Sequence, residues 1–136
     1  GDWSSDVCSS DLFCELVACT IFSPGFGVTS LGLELICALD LVNLNNDETF
    51  HVKRSIQIIG IGIDSPSNIR EFSSTHHITY PLLVAGMNGT ELARQFGNQA
   101  GGLPFTVLIS PQGQVRKVYL GRLDMKKLRE DLLSPQ

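Results

Sequence analysis

The sequence predicts an α/β fold in which a mixed central sheet is flanked by helices. Three observations carry that expectation. Residues 55–64 form an isoleucine-rich run that is apolar on both faces, as a covered central strand must be, and Ser65-Pro66 follows at once as a helix start. Pro104 opens a second apolar run, 105–110, and Ser110-Pro111-Gln112-Gly113 has the composition of a β-turn that folds it back onto residues 114–120. Asp124 then caps a closing helix whose Met125, Leu128 and Leu132 fall at i, i+3 and i+7.

In chain order, residues 18–22 read as a strand, Ser23-Pro24-Gly25 as a turn, and a helix is expected from about Leu31 to its break near Asn46-Asp47. The strand over 55–64 comes next. Ser65 is the expected N-cap and Pro66 the first helical residue, where a missing N–H costs nothing; Ile69 and Phe72 mark its inner face, to about His76. Residues 79–84 read as a short extended segment. Asn88-Gly89 reads as a turn, with Thr90 capping a small helix that turns Leu92, Ala93 and Phe96 inward before Gly97 ends it. The first two strands should run parallel through the first helix, and the last two should form an antiparallel hairpin.

At 136 residues the chain is long enough for one domain with a real core, and a net charge of −4 argues against a nucleic-acid or polyanion surface. The charge is unevenly spread. All ten Lys and Arg lie at or beyond Lys53. Residues 1–12, from Gly1 through Cys8 to Leu12, resemble the conceptual translation of a sequencing adapter and are set aside from fold reasoning. Without Asp2, Asp6 and Asp11 the 14 acids become 11 against 10 bases, a net of about −1. On this reading the native N-terminus is not represented, and a membrane tether lost with it stays open. The apolar run 16–33 is interrupted by Pro24, Gly25, Gly27 and Gly32 and falls short of a membrane span.

The Gly-Gly-Leu-Pro-Phe-Thr stretch at 101–106, the hairpin after it and the strand–helix order before it resemble the thioredoxin-like fold, and most closely the TlpA/ResA-type thiol–disulfide oxidoreductases. The resemblance covers about residues 41–133. It implies a loop proline, Pro104, expected in the cis form, with the backbone of Leu103 binding an extended substrate strand. It also implies protein thiols or disulfides as substrates, no cofactor, no metal, no nucleic acid, and a periplasmic or extracytoplasmic setting. In that family a Cys-x-x-Cys pair opens the first helix, where the helix N-terminus stabilises a thiolate and the second thiol resolves the mixed disulfide. Family spacing places the pair on Leu31-Gly32-Leu33-Glu34, which holds no cysteine. The expected organisation is therefore an adapter-like stretch at 1–12, a segment at 13–39 in place of the family's first strand and active-site helix start, and a thioredoxin-like domain at 40–136.

Two accounts of that gap stand open: foreign or out-of-frame sequence over about 13–39, or a thioredoxin-like protein that kept binding and lost redox chemistry. Either way the chain as written is expected not to exchange dithiols by the usual route. Cys37 should be a small buried apolar residue inside the first helix. A Cys14–Cys19 disulfide is conceivable but fits no functional motif. A peroxiredoxin-like (AhpC/TSA) reading shares the strand over 58–64 and Tyr80-Pro81-Leu82-Leu83, yet the thiol expected near Gly32 is absent. Gly60-Ile61-Gly62 lacks the third glycine of a dinucleotide fingerprint, since Ser65 stands there. His76 and His77 have no third metal ligand nearby and read as a helix end. Asn88-Gly89-Thr90 fits a glycosylation sequon but reads more simply as turn and cap. Lys126, Lys127 and Arg129 read as a solvated helix face.

Overall fold

A computed structural model describes residues 16–23, 28–48, 56–86 and 88–133, leaving the side chains of 28–33 outside that description. The adapter-like residues, Cys8 and Cys14 lie outside the described residues. The elements run β1 (Leu16–Phe22), α1 (Val28–Asn45), β2 (Ile56–Gly62), α2 (Pro66–Thr75), β3 (Leu82–Val84), α3 (Asn88–Gln95), β4 (Phe105–Ile109), β5 (Val115–Leu120) and α4 (Met125–Leu133).

The five strands form one sheet in the order β3-β2-β1-β4-β5. β1 is central and entirely buried; it runs parallel to β2 and antiparallel to β4. β2 and β3 are parallel, and β4 and β5 form the expected hairpin. The extended segment at 79–84 thus contributes an edge strand. Alternation along the strands divides the core. Leu16 and Ala18 face Cys37, Leu41 and Leu44 of α1 together with Leu128 and Leu132 of α4. Val17, Cys19 and Ile21 face the opposite way, among Ile59, Ile61, Ala93 and Phe105 on the α3 side. α2 lies on the α1 face, where Ile69 packs over Gly62 and the Phe72 ring sits 5.4 Å from that of Phe22.

Local signals account for most element ends. The Ser65 side chain accepts from the Asn68 N–H with Pro66 in the first turn. Gly113 donates to the Ser110 carbonyl at φ +84°, closing the hairpin turn, and the Lys127 N–H reaches the Asp124 carboxylate at 3.2 Å. Gly97, at φ +113°, ends α3.

Two expectations are corrected. α1 begins at Val28, ahead of the expected Leu31. α3 begins at Asn88, so Thr90 is inside the helix and not its cap; the Asn88 and Gly89 N–H groups already donate to the carbonyls of Ala85 and Gly86. The Lys/Arg cluster is a solvated face, as expected, and carries surface ion pairs: Arg129 bonds Asp47 at 2.9 Å, and Lys127 lies 3.5 Å from Asp131.

The glycines of β2 are packing devices. A Cβ on Gly60 would meet Leu82 Cδ1 at 2.7 Å and Tyr80 Cε1 at 2.9 Å, and one on Gly62 would meet Ile69 Cδ1 at 2.2 Å. Gly89 is tighter in kind, because its Cβ would lie 2.4 Å from Ile63 Cγ1 and 3.0 Å from Ala85 Cβ, neither of them a flexible tip. Gly89→Ala is therefore expected to cost about 1–2 kcal/mol despite the better helix propensity of alanine, read as a lower urea midpoint at unchanged slope. An unchanged midpoint would mean that α3 shifts freely.

Candidate functional site

The C-terminal ends of β1 and β2, the first turns of α1 and the loop leading into β4 converge at one end of the sheet. Ile63 N–H donates to the Phe22 carbonyl at 2.8 Å, and Ser23 Oγ donates to the Ile63 carbonyl at 3.0 Å. The Ser23 N–H turns toward the helix and donates to Glu34 Oε1 at 2.6 Å. The antiparallel register pairs Ile21 with Phe105, which carries Leu103 and Pro104 alongside Ser23. The Leu103–Pro104 peptide bond is cis, as expected from the sequence. Pro104 is buried and Leu103 half-buried. Asn98, itself buried, braces the loop by donating from Nδ2 to the Gly102 carbonyl at 2.8 Å, and the Pro104 carbonyl accepts from Gly121 N–H. Neither the N–H nor the C=O of Leu103 has a hydrogen-bond partner among the described residues.

Glu34 is the residue whose importance the sequence reading missed. Only 2% of it is exposed, at the position that family spacing assigns to the second cysteine. Burial holds its carboxyl above the usual carboxylate range, with the Ser23 N–H opposing. Its signal was visible, since it is the sole acid between Glu15 and Asp40, but a lone acid in an apolar run does not announce its own burial. Beneath the loop, Thr20 and Thr106 share a buried hydroxyl hydrogen bond of 2.9 Å across β1 and β4.

The described cysteines do not form a redox pair. Cys19 and Cys37 are both free and fully buried, on opposite faces of the sheet. Cys19 is a free thiol here, and Cys14, its conceivable disulfide partner, lies outside the described residues. Burial pushes each thiol up to about 12. For Cys37 the charges of Asp40 and Glu34 add to burial, while the Leu123 N–H and the Thr106 hydroxyl oppose it. A thiol so raised stays protonated at neutral pH and is a poor nucleophile. The expectation of a small buried Cys37 holds. Leu31 falls at the fourth residue of α1 and Glu34 at the seventh, so the counted motif sits in the helix body and not at its very start.

Among the described residues no group of His, Cys, Asp and Glu could hold a metal ion, and no helix is long and apolar enough to cross a membrane. His76 closes α2, its N–H donating to the Phe72 carbonyl and its ring tilted at 55° to that of Phe72, with centroids 4.9 Å apart.

A parallel β1–α1–β2 unit, a hairpin led by a proline loop and a closing helix over one sheet face define a thioredoxin-like fold. The chain belongs to the AhpC/TSA family, whose profile matches residues 35–118. It is 22% identical over 99 residues to the thiol-disulfide oxidoreductase ResA of Geobacillus thermodenitrificans (strain NG80-2), covering 72% of this chain and 55% of that protein. The chain thus spans about half the length of that curated relative. A thiol:disulfide interchange protein of the thioredoxin family from Chlorobium tepidum TLS superposes with a TM-score of 0.66 at 21% identity, over 93% of this chain and 85% of the other. StoA from Bacillus subtilis superposes at 0.62 with 12% identity, over 85% and 81%. At these identities the structural likeness is one of fold.

Proposed function

We propose that this chain engages an extended polypeptide segment at the Leu103–Pro104 loop, in the manner of a thiol–disulfide oxidoreductase, without performing dithiol exchange by the usual route. The observation that carries this reading is the pairing of Glu34 with Ser23: a buried carboxylate, not a thiol, stands beside the loop. A carboxylate cannot attack a disulfide or resolve a mixed one, and Cys37 lies farther along α1 with its thiol held protonated in the core. The backbone groups of Leu103, which have no partner among the described residues, suit strand addition, in which main-chain hydrogen bonds supply affinity. Substrates would then be protein segments carrying thiols or disulfides, met outside the cytoplasm, as the resemblance to exported relatives implies.

The chain is expected to bind a model disulfide peptide while its free-thiol count stays constant, and to leave insulin disulfides unreduced. Insulin reduction at a rate comparable to that of a Cys-x-x-Cys thioredoxin would overturn the reading. Absence of peptide binding would remove its other half. The peroxiredoxin-like alternative is separated by the same preparation, since it predicts thiol loss on addition of an alkyl hydroperoxide.

A further inference from the structure

We propose that the cleft between α2 and the free edge of β3 receives an extended, acidic segment of another polypeptide, which adds to the sheet as a sixth strand and places a carboxylate on Arg70. The cleft, about 410 Å³, is lined by Pro66, Ile69, Arg70, Ser73, Leu82 and Val84, with Tyr80 at its floor. It lies at the β3 edge, away from the Leu103–Pro104 loop, so the two readings stand or fall separately.

The backbone directions in β3 follow from its hydrogen bonds. The Pro81 carbonyl accepts from Gly60 N–H at 2.9 Å, and Ala85 N–H donates to the Gly62 carbonyl at 2.9 Å. Residues 81 and 85 therefore turn toward β2, and the alternate residues 82 and 84 turn their N–H and C=O groups outward. Those groups have no partner among the described residues. The side chains of the same two residues line the cleft, so an incoming strand would meet hydrogen-bonding groups and a pocketed apolar surface together. Val84 is 45% exposed and Leu83, on the opposite face, 52%.

Charge selects the occupant. Arg70 is the cation that lines the cleft, and it has no ion pair among the described residues. A guanidinium presents a fork of donors matched to a carboxylate. On an added strand, residues two apart share a face, so an acid toward Arg70 and an apolar side chain over Leu82 and Val84 define an acid-x-apolar pattern. A second copy of this chain is disfavoured, because self-pairing through three residues would bring two Arg70 guanidinium groups to one seam.

The test uses the full chain and the capped peptide acetyl-Thr-Glu-Thr-Val-Thr-amide, labelled for fluorescence anisotropy, with its Gln analogue and a Lys analogue. The Gln analogue and the variant Arg70→Glu are each expected to weaken binding by about tenfold, and the Lys analogue to recover affinity for Arg70→Glu. The amides of Leu82 and Val84 are expected to gain hydrogen-exchange protection on binding, a readout that tracks strand addition itself. No binding at millimolar peptide overturns the proposal, as do equal affinities for the Glu and Gln peptides or unchanged protection at residues 82 and 84. A concentration-dependent dimer that protects the same two amides in the absence of peptide would assign the edge to a second copy instead.

Discussion

Asp131→Ala is expected to lower the stability of the fold by about 3 kcal/mol and to shift Tm down by roughly 9 °C. Asp131 lies on α4 with its side chain only 6% exposed; Lys117 Nζ donates to Oδ1 at 2.8 Å, and the Tyr119 hydroxyl donates a short hydrogen bond to Oδ2. These contacts clamp the closing helix to β5, and hence to the hairpin that starts at the candidate loop. Alanine would remove both acceptors and leave the half-buried tyrosine hydroxyl without one. Asp131→Asn keeps an acceptor for Tyr119 and is expected to lose about half as much.

The same carboxylate shapes the acid limb of stability. Burial favours its protonated form, but Lys117, Tyr119 and Lys127 outweigh burial and hold the carboxyl below its usual range. A depressed folded pKa stabilises the fold above the unfolded value of about 3.9, and that stabilisation is lost as pH falls through the folded value. Unfolding followed from pH 6 down to pH 2 should therefore show a steeper acid loss for the wild-type chain than for Asp131→Ala. Parallel curves would mean that the clamp carries no net electrostatic stabilisation.

Glu34→Gln is expected to act in the opposite direction, raising stability by about 1–3 kcal/mol at pH 8 while changing little at pH 4. Burial raises the Glu34 carboxyl, so the protonated form suits the fold. Its contribution is fully present below the unfolded value of about 4.3 and is lost as pH rises through the folded value. Glutamine keeps an acceptor for the Ser23 N–H, now held at 2.6 Å by the acid, and carries no charge to desolvate. Equal pH dependence in wild type and variant would show that water or a counter-charge already compensates the carboxylate. Because Glu34 joins the end of β1 to α1 beside the loop, the comparison also reports whether that junction loosens at alkaline pH.

Much of the architecture was legible from signals spanning a few residues. Ser65-Pro66 marked the start of α2, Ser110-Pro111-Gln112-Gly113 marked the hairpin, and Asp124 with Leu128 and Leu132 marked α4. Each of these works through a fixed φ, a cap or a period that neighbouring residues supply on their own. The misread elements are those where tertiary contact overrides such signals. Asn88-Gly89 looks like a turn, yet Gly89 is helical because only a residue without a Cβ fits against Ile63 there. Gly60 and Gly62, which do not complete a dinucleotide fingerprint, instead leave bare backbone that admits Leu82, Tyr80 and Ile69.

The sequence by itself determined the fold class, the order of elements, the hairpin with its proline-led strand and the want of a Cys-x-x-Cys pair where family spacing puts one. Only the tertiary structure decided that the two described thiols lie on opposite faces of the sheet, that Glu34 is buried on Ser23, and that among the described residues β3 has an open edge beside an Arg70 without an ion pair. The reason is distance along the chain. Caps and turns are satisfied within about four residues, whereas burial and charge pairing join positions as far apart as Thr20 and Thr106 or Asp47 and Arg129, which meet only after the sheet has closed its register.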